Sequence, residues 1–177
     1  PYGRSSNLSY GISLQLQQTT SNKFIYGLQI GYELLSSKVD LYEVLSEEPV
    51  YAWDTSKSFI TLSNQFINLN PYIGHRIIKD KLTVDLIAGA DFGFCLDSQA
   101  KVDVTNSRGN NYVINADRDK INLDIRPRVG ATCFYKNYGL SIGYSFGLSN
   151  YSKTINEPDD KIYSRYFRIG LAYRVSL

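Results

Sequence analysis

"NYGLSIGYSFGLSNY", residues 137–151, alternates a bulky apolar or aromatic residue with a glycine or a serine. Leu140, Ile142, Tyr144, Phe146 and Leu148 fall on one side; Ser141, Gly143, Ser145, Gly147 and Ser149 fall on the other. A period of two is strand geometry, because successive side chains leave a strand on opposite faces. The two faces differ in size as well as in polarity, and that difference decides the fold.

The same alternation runs along most of the chain. Leu8, Tyr10, Ile12, Leu14 and Leu16 oppose Ser9, Gly11, Ser13, Gln15 and Gln17. Between 24 and 34, Phe24, Tyr26, Leu28, Ile30, Tyr32 and Leu34 oppose Ile25, Gly27, Gln29, Gly31 and Glu33. Residues 82–96, 121–134 and 167–177 repeat the arrangement, with Asp85, Asp91, Asp124, Arg126, Arg128, Arg168 and Arg174 on the small-residue face. Residues 58–78 are also extended, but Ile60, Leu62 and Phe66 lie on one parity and Ile67, Leu69 and Ile73 on the other. That switch predicts a β-bulge near Phe66 and Ile67, and Pro71, which cannot donate a ladder hydrogen bond, predicts a second irregularity.

Connections alternate in length. Short turns fall at 19–22, 79–81 and 136–139, and long polar segments at 36–57, 97–119 and 150–161. Short turns at one end and long loops at the other describe an up-and-down antiparallel barrel. Within 97–119, "KVDVTNSRGNNYVI" is expected to prolong its strands as a hairpin. The count is seven strands, whereas single-chain bacterial barrels use an even number. An eighth strand upstream of residue 1 is therefore expected, and residues 1–177 read as a single, amino-terminally incomplete barrel domain.

Composition narrows the function classes. With 19 basic and 17 acidic residues, a net charge of +2 and no basic run, nucleic acid is not an expected partner. No uncharged apolar stretch of about 18 residues exists, so a membrane-spanning helix is set aside. Two cysteines, Cys95 and Cys133, make neither a disulfide framework nor a zinc cluster. Neither metal nor cofactor is expected.

Alternation alone does not say which face is wet, since a soluble barrel packs its apolar face inward and a membrane barrel turns it outward. Three features favour the membrane barrel. Small residues sit on the polar face, as side chains converging on a narrow lumen require. That face also carries charges of both signs, Glu33, Asp85, Asp91, Asp124, Arg126, Arg128, Arg168 and Arg174, able to pair within a lumen. On the apolar face Tyr10, Phe24, Tyr32, Phe92, Phe94, Tyr144, Phe167 and Tyr173 recur near strand ends, where an interfacial aromatic girdle belongs.

At this point the chain resembles a family. "GLSIGYSFGLSNY" looks like the penultimate strand of PorT-type outer-membrane β-barrel domains, small barrels of Gram-negative bacteria of the OmpA- and OmpX-like kind. "LTVDLIAGADFGFCL" is similar to that family's glycine-containing strand, and "YFRIGLAYRVSL" to its closing strand. The resemblance covers residues 58–177 well and the start loosely; it departs at Pro71 and at Leu177, where a terminal Phe is common. It implies eight transmembrane strands, residence in the bacterial outer membrane, contact with its lipid and with other outer-membrane or periplasmic proteins, and an accessory role in protein secretion or outer-membrane assembly.

Candidate chemistry is sparse. His75, the only histidine, beside Ser63 or Asp85 would make a nucleophilic site of a lipid-modifying enzyme, but no nucleophile-elbow motif accompanies it, and no catalytic residue is assigned. The Asp and Arg residues of the polar face would form either a ligand-selective constriction or a network that neutralises buried charge, and the second is expected. Tyr51 and Trp53, in the loop segment "VYAWD", are the candidate partner-binding residues. The expectation is a non-enzymatic outer-membrane barrel with a structural or interaction role; a small porin or ligand-binding barrel is the alternative.

Overall fold

The structure, a computed structural model, describes residues 5–6, 8–40, 59–105, 111–149 and 163–175. Among the described residues every regular element is a strand: β1 (Ser5–Ser6), β2 (Tyr10–Thr19), β3 (Phe24–Asp40), β4 (Phe59–Lys79), β5 (Leu82–Thr105), β6 (Asn111–Asp117), β7 (Leu123–Tyr135), β8 (Tyr138–Phe146) and β9 (Arg165–Tyr173). All pair antiparallel in one sheet. β1 and β2 share one edge of β3, and β6 and β7 share one edge of β5. Seven strand lines therefore stand side by side, as the sequence count requires, and the sheet curls into a half-barrel with β2 and β9 at its edges.

Tight turns join β2 to β3, β4 to β5 and β7 to β8 at the expected places. Each carries a non-glycine residue in the left-handed region: Lys23 at φ 61°, Asp80 at 52° and Lys136 at 54°. In the two-residue loops at 80–81 and 136–137 positive φ matches the right-handed twist of the strands they join, whereas Lys23 ends a longer turn in which Thr20 N–H donates to the Phe24 carbonyl at 2.8 Å. At the opposite end the 97–119 segment does prolong its strands: β5 runs on to Thr105, which pairs with Asn111.

The bulge lies at the expected level but on the neighbouring strand. Pairing between β4 and β5 shifts between Gln65 and Phe66, where Gln65 faces Asp97 and Phe66 faces Cys95, so Leu96 is the extra residue. β4 itself is unbroken against β3 from Phe24↔His75 to Asp40↔Phe59. At its even positions Leu62, Phe66, Asn68, Asn70 and Tyr72 are buried and point inward. The apparent parity switch thus reports apolar residues, Ile60, Leu62 and Phe66, on the inner parity of an unbroken strand. Lys120 Nζ donates to the Leu96 carbonyl at 2.7 Å, which satisfies an acceptor at the bulge. At Asn70 and Pro71 the ladder to β5 lapses without a change of register.

The bulky apolar row faces outward and the charged and small residues face inward. Thirty-five large apolar or aromatic residues are exposed among the described residues and six hydrophobic ones are buried. Leu86 is 44% exposed and Leu171 91%, so these two residues do not meet in a core. Of the buried six, Leu35, Leu62 and Phe66 lie toward the loop end of the half-barrel, and Ile25 and Phe134 toward the turn end. Between them the interior is polar.

Candidate functional site

Inward positions from β3, β4, β5, β7, β8 and β9 converge on an ionic layer. Fully buried Arg126 on β7 sits at its centre. Its Nη1 lies 3.3 Å from Glu33 Oε2 on β3 and its Nε 3.6 Å from Asp124 Oδ2, while Nη2 donates to Asn68 Oδ1 on β4. The guanidinium also lies 5.2 Å from the Phe66 ring centre and 5.3 Å from that of Tyr166, within cation–π range. Gly93 on β5 makes room for it: a Cβ there would come within 2.5 Å of Arg126 Nη2 and 2.9 Å of Asn68 Oδ1.

Arg168 on β9 reaches across the interior to β3. Its Nε donates to Glu33 Oε1 at 2.8 Å and its Nη2 to Glu33 Oε2 at 3.1 Å, a two-pronged pair of the strongest geometry available to these groups. Nη2 also lies 3.1 Å from Asp91 Oδ2, and Nη1 donates to Ser145 Oγ. Arg128 Nη1 donates to Gln29 Oε1 at 2.9 Å and to Asp91 Oδ1 at 3.4 Å. Asn68 Nδ2 donates to Glu33 Oε2 at 2.7 Å. Three carboxylates (Glu33, Asp91, Asp124) thus meet three guanidiniums (Arg126, Arg128, Arg168), and the layer balances its own charge. A buried charge without a partner would cost several kcal/mol, so mutual pairing is the condition for these residues to lie inside at all.

The remaining two expected members lie elsewhere. Asp85 forms a second cluster nearer the turn end, accepting from Arg76 Nε and Nη2 at 2.7 Å each and from Gln17 Nε2 at 3.0 Å. Tyr72 stands beside it: Gln15 Nε2 donates to its hydroxyl at 2.6 Å, and that hydroxyl donates to Gln17 Oε1 at 3.1 Å. Arg174 packs on the Phe134 ring, 4.4 Å from its centre, and Nη2 donates to the Lys136 carbonyl at 3.4 Å. Asn68, Tyr72, Arg76 and Ser145 are not among the candidate site residues singled out from the sequence. For the three on β4, the assumed parity switch hid a signal that was present, since Asn64, Phe66, Asn68, Asn70, Tyr72, Gly74 and Arg76 follow one another at period two.

The eight aromatic residues picked out on the apolar face all have outward parity. Tyr10, Phe24, Phe94, Tyr144, Phe167 and Tyr173 are exposed, and Tyr32 and Phe92 half-buried. Tyr144 pairs with Phe167 toward the loop end, and Tyr138 with Tyr173 at the turn end, ring centres 5.2 Å apart. Tyr26, Tyr135 and Tyr138 are further outward aromatics beyond the eight singled out for the girdle. Tyr51 and Trp53 lie outside the described residues.

The geometry gives His75 no catalytic partner among those considered. It is exposed on the outer face of β4, whereas Asp85 points inward and is held by Arg76, and Ser63 lies twelve residues up the same strand. Cys133 is exposed on the outer face and pairs with Val84, eleven residues down β5 from half-buried Cys95, so the two thiols are too far apart for a disulfide. Among the described residues no three His, Cys, Asp or Glu side chains converge as a metal site.

A cavity of about 900 Å³ borders the ionic layer. Asn68, Asn70, Asp91, Arg128 and Arg168 line it, together with residues 8–13, which lead into and begin β2, and Phe167–Leu171 of β9. Comparison of the chain with protein-family models, with curated proteins and with solved structures finds no match.

Proposed function

We propose that the chain is an integral β-barrel protein of a bacterial outer membrane, without enzymatic activity, whose role is structural or lies in interaction with other proteins. The observation that carries this reading is the outer face. A monomeric protein in water rarely exposes a contiguous apolar patch beyond a few hundred Å². Here Leu28, Ile30, Ile73, Leu86, Val129, Leu140, Ile142 and Ile169 form rows across six strands, with aromatic residues toward both ends. Hydrocarbon is the solvent such a surface requires, and among strand architectures the closed barrel toward which this sheet curls is the one that satisfies backbone polar groups within the protein. The ionic layer supports a scaffold rather than a conductor, because its arginines and carboxylates bond to one another across the interior. An accessory role in secretion or outer-membrane assembly is the specific form we carry forward; its support is the likeness of residues 58–177 to PorT-type barrels.

The test is behaviour toward detergent. Purified protein is expected to need detergent to stay dispersed, and to migrate faster on a gel when unheated than when boiled, as a folded barrel does. A monodisperse, folded sample in detergent-free buffer would overturn the membrane reading.

A further inference from the structure

The three tight turns, at 20–23, 79–81 and 136–137, leave the sheet at one end and carry Lys23, Lys79, Lys81 and Lys136 against a single acidic residue, Asp80. The long segments 36–57, 97–119 and 150–161 have the opposite balance, twelve acidic residues to seven basic. Pairing within the sheet gathers the cations along one rim. The Arg76 N–H donates to the Lys23 carbonyl at 2.8 Å, which sets the first turn against β4 close to Lys79. Leu82 pairs with Tyr135, so Lys81 and Lys136 project from neighbouring strands just beyond that pair. The Arg174 N–H donates to the Asn137 carbonyl at 2.8 Å and adds a fifth cation beside Lys136.

Each of the five is next in the chain to an exposed large apolar or aromatic residue: Phe24, Ile78, Leu82, Tyr135 and Tyr173. The charge therefore begins where the apolar outer surface ends. The four lysines are exposed, and among the described residues none of their ammonium groups is ion-paired. Like charges gathered on one rim repel one another, and here the anions that would offset them have to come from outside the described residues.

We propose that this rim binds the phosphate groups of anionic glycerophospholipids in the leaflet at the turn end of the sheet. This deepens the membrane reading and rests on it. Lysine suits the place, because its aliphatic stem lies along apolar surface while the ammonium reaches the headgroups. Tyr138 and Tyr173, stacked with ring centres 5.2 Å apart, mark the interface just inside the rim. The pull of an anionic bilayer surface on basic residues fades within a Debye length, and cations that adjoin the apolar band stay inside that range. A soluble acidic protein would instead be met by charge projecting clear of the band.

The test folds the protein into phosphatidylcholine vesicles holding a trace of spin-labelled lipid, either phosphatidylglycerol or phosphatidylcholine, and measures the fraction of each that the protein restricts in motion. The parent is expected to hold the anionic lipid about threefold more strongly than the neutral one. Salt at about 1 M, which screens charges beyond about 3 Å, is expected to abolish the preference. The variant Lys23→Gln/Lys79→Gln/Lys81→Gln/Lys136→Gln is expected to lose it at low salt, and Lys38→Gln/Lys101→Gln, toward the loop end, to keep it. The salt arm uses the unaltered chain, so the test stands even where the fourfold variant folds poorly. Equal association of both lipids with the parent, a preference indifferent to salt or to the turn substitutions, or its loss in the loop-end variant would each overturn the proposal. Binding of soluble polyglutamate by a parent without lipid preference would overturn it in favour of an acidic protein. Restriction of neither lipid would mean that the chain does not enter the bilayer and would overturn the membrane reading as well, whereas equal restriction of both overturns the rim alone.

Discussion

Arg126→Met is expected to lower unfolding stability by about 3–5 kcal/mol, the effect of removing one partner from a buried, hydrogen-bonded charge cluster. Methionine keeps much of the side chain's length and its contact with Phe66, so the loss is chiefly electrostatic. Asp124, fully buried and 3.6 Å from the guanidinium, would lose its ion-pair partner, and Asn68 Oδ1 would lose its donor. The double variant Arg126→Met/Asp124→Asn removes charge of both signs and is expected to be more stable than the single one, because neighbours in one network do not contribute additively. Urea unfolding in detergent, followed by circular dichroism, reads both. A single variant within about 0.5 kcal/mol of the parent, the range of ordinary surface changes, would show that the layer does not hold the interior together.

The second large effect belongs to the opposite face. Ile142, outward and central in β8, is expected to tolerate arginine poorly once the protein is folded into lipid vesicles, at about 2–4 kcal/mol for a cation at the bilayer midplane. Tyr138→Arg, at the turn end of the same strand, is expected to cost about 0–1 kcal/mol, because a long cationic side chain reaches the headgroups there. Unfolding titrations of the two variants in vesicles measure the gradient. Equal, small effects at both positions would mean that water, not hydrocarbon, bathes this face.

Much of this was legible in the chain because strand alternation is a local property. Gly143 and Ser145 against Ile142 and Tyr144 already say that one face is crowded and the other is not, and the structure buries the first pair and exposes the second. The seven strand lines, the three tight turns and the prolonged 97–119 hairpin follow from the same local pattern. What alternation does not encode is which inward residues of distant strands share a level. Glu33 and Arg168 are 135 residues apart and meet only because the sheet curls, whereas Asp85 and Arg174, on the same face by parity, lie outside that layer. β4 misled for a related reason: Leu62 and Phe66 are apolar yet point inward, toward the loop end of the lumen, and a rule equating apolar with outward misplaces them. The inserted residue, Leu96, sits in a stretch whose own pattern looks regular, so only the pairing reveals it.

The outward orientation of the bulky row can be measured residue by residue. Spin labels placed singly at positions 140 to 145 of β8, in a background with Cys95 and Cys133 replaced, would be exposed in lipid vesicles to oxygen, which concentrates in hydrocarbon, and to a water-soluble nickel chelate. Labels replacing Leu140, Ile142 and Tyr144 are predicted to collide with oxygen and not with nickel, and those replacing Ser141, Gly143 and Ser145 to lose the oxygen signal, giving a period of two. Nickel collisions at Leu140, Ile142 and Tyr144, or no alternation at all, would contradict the account.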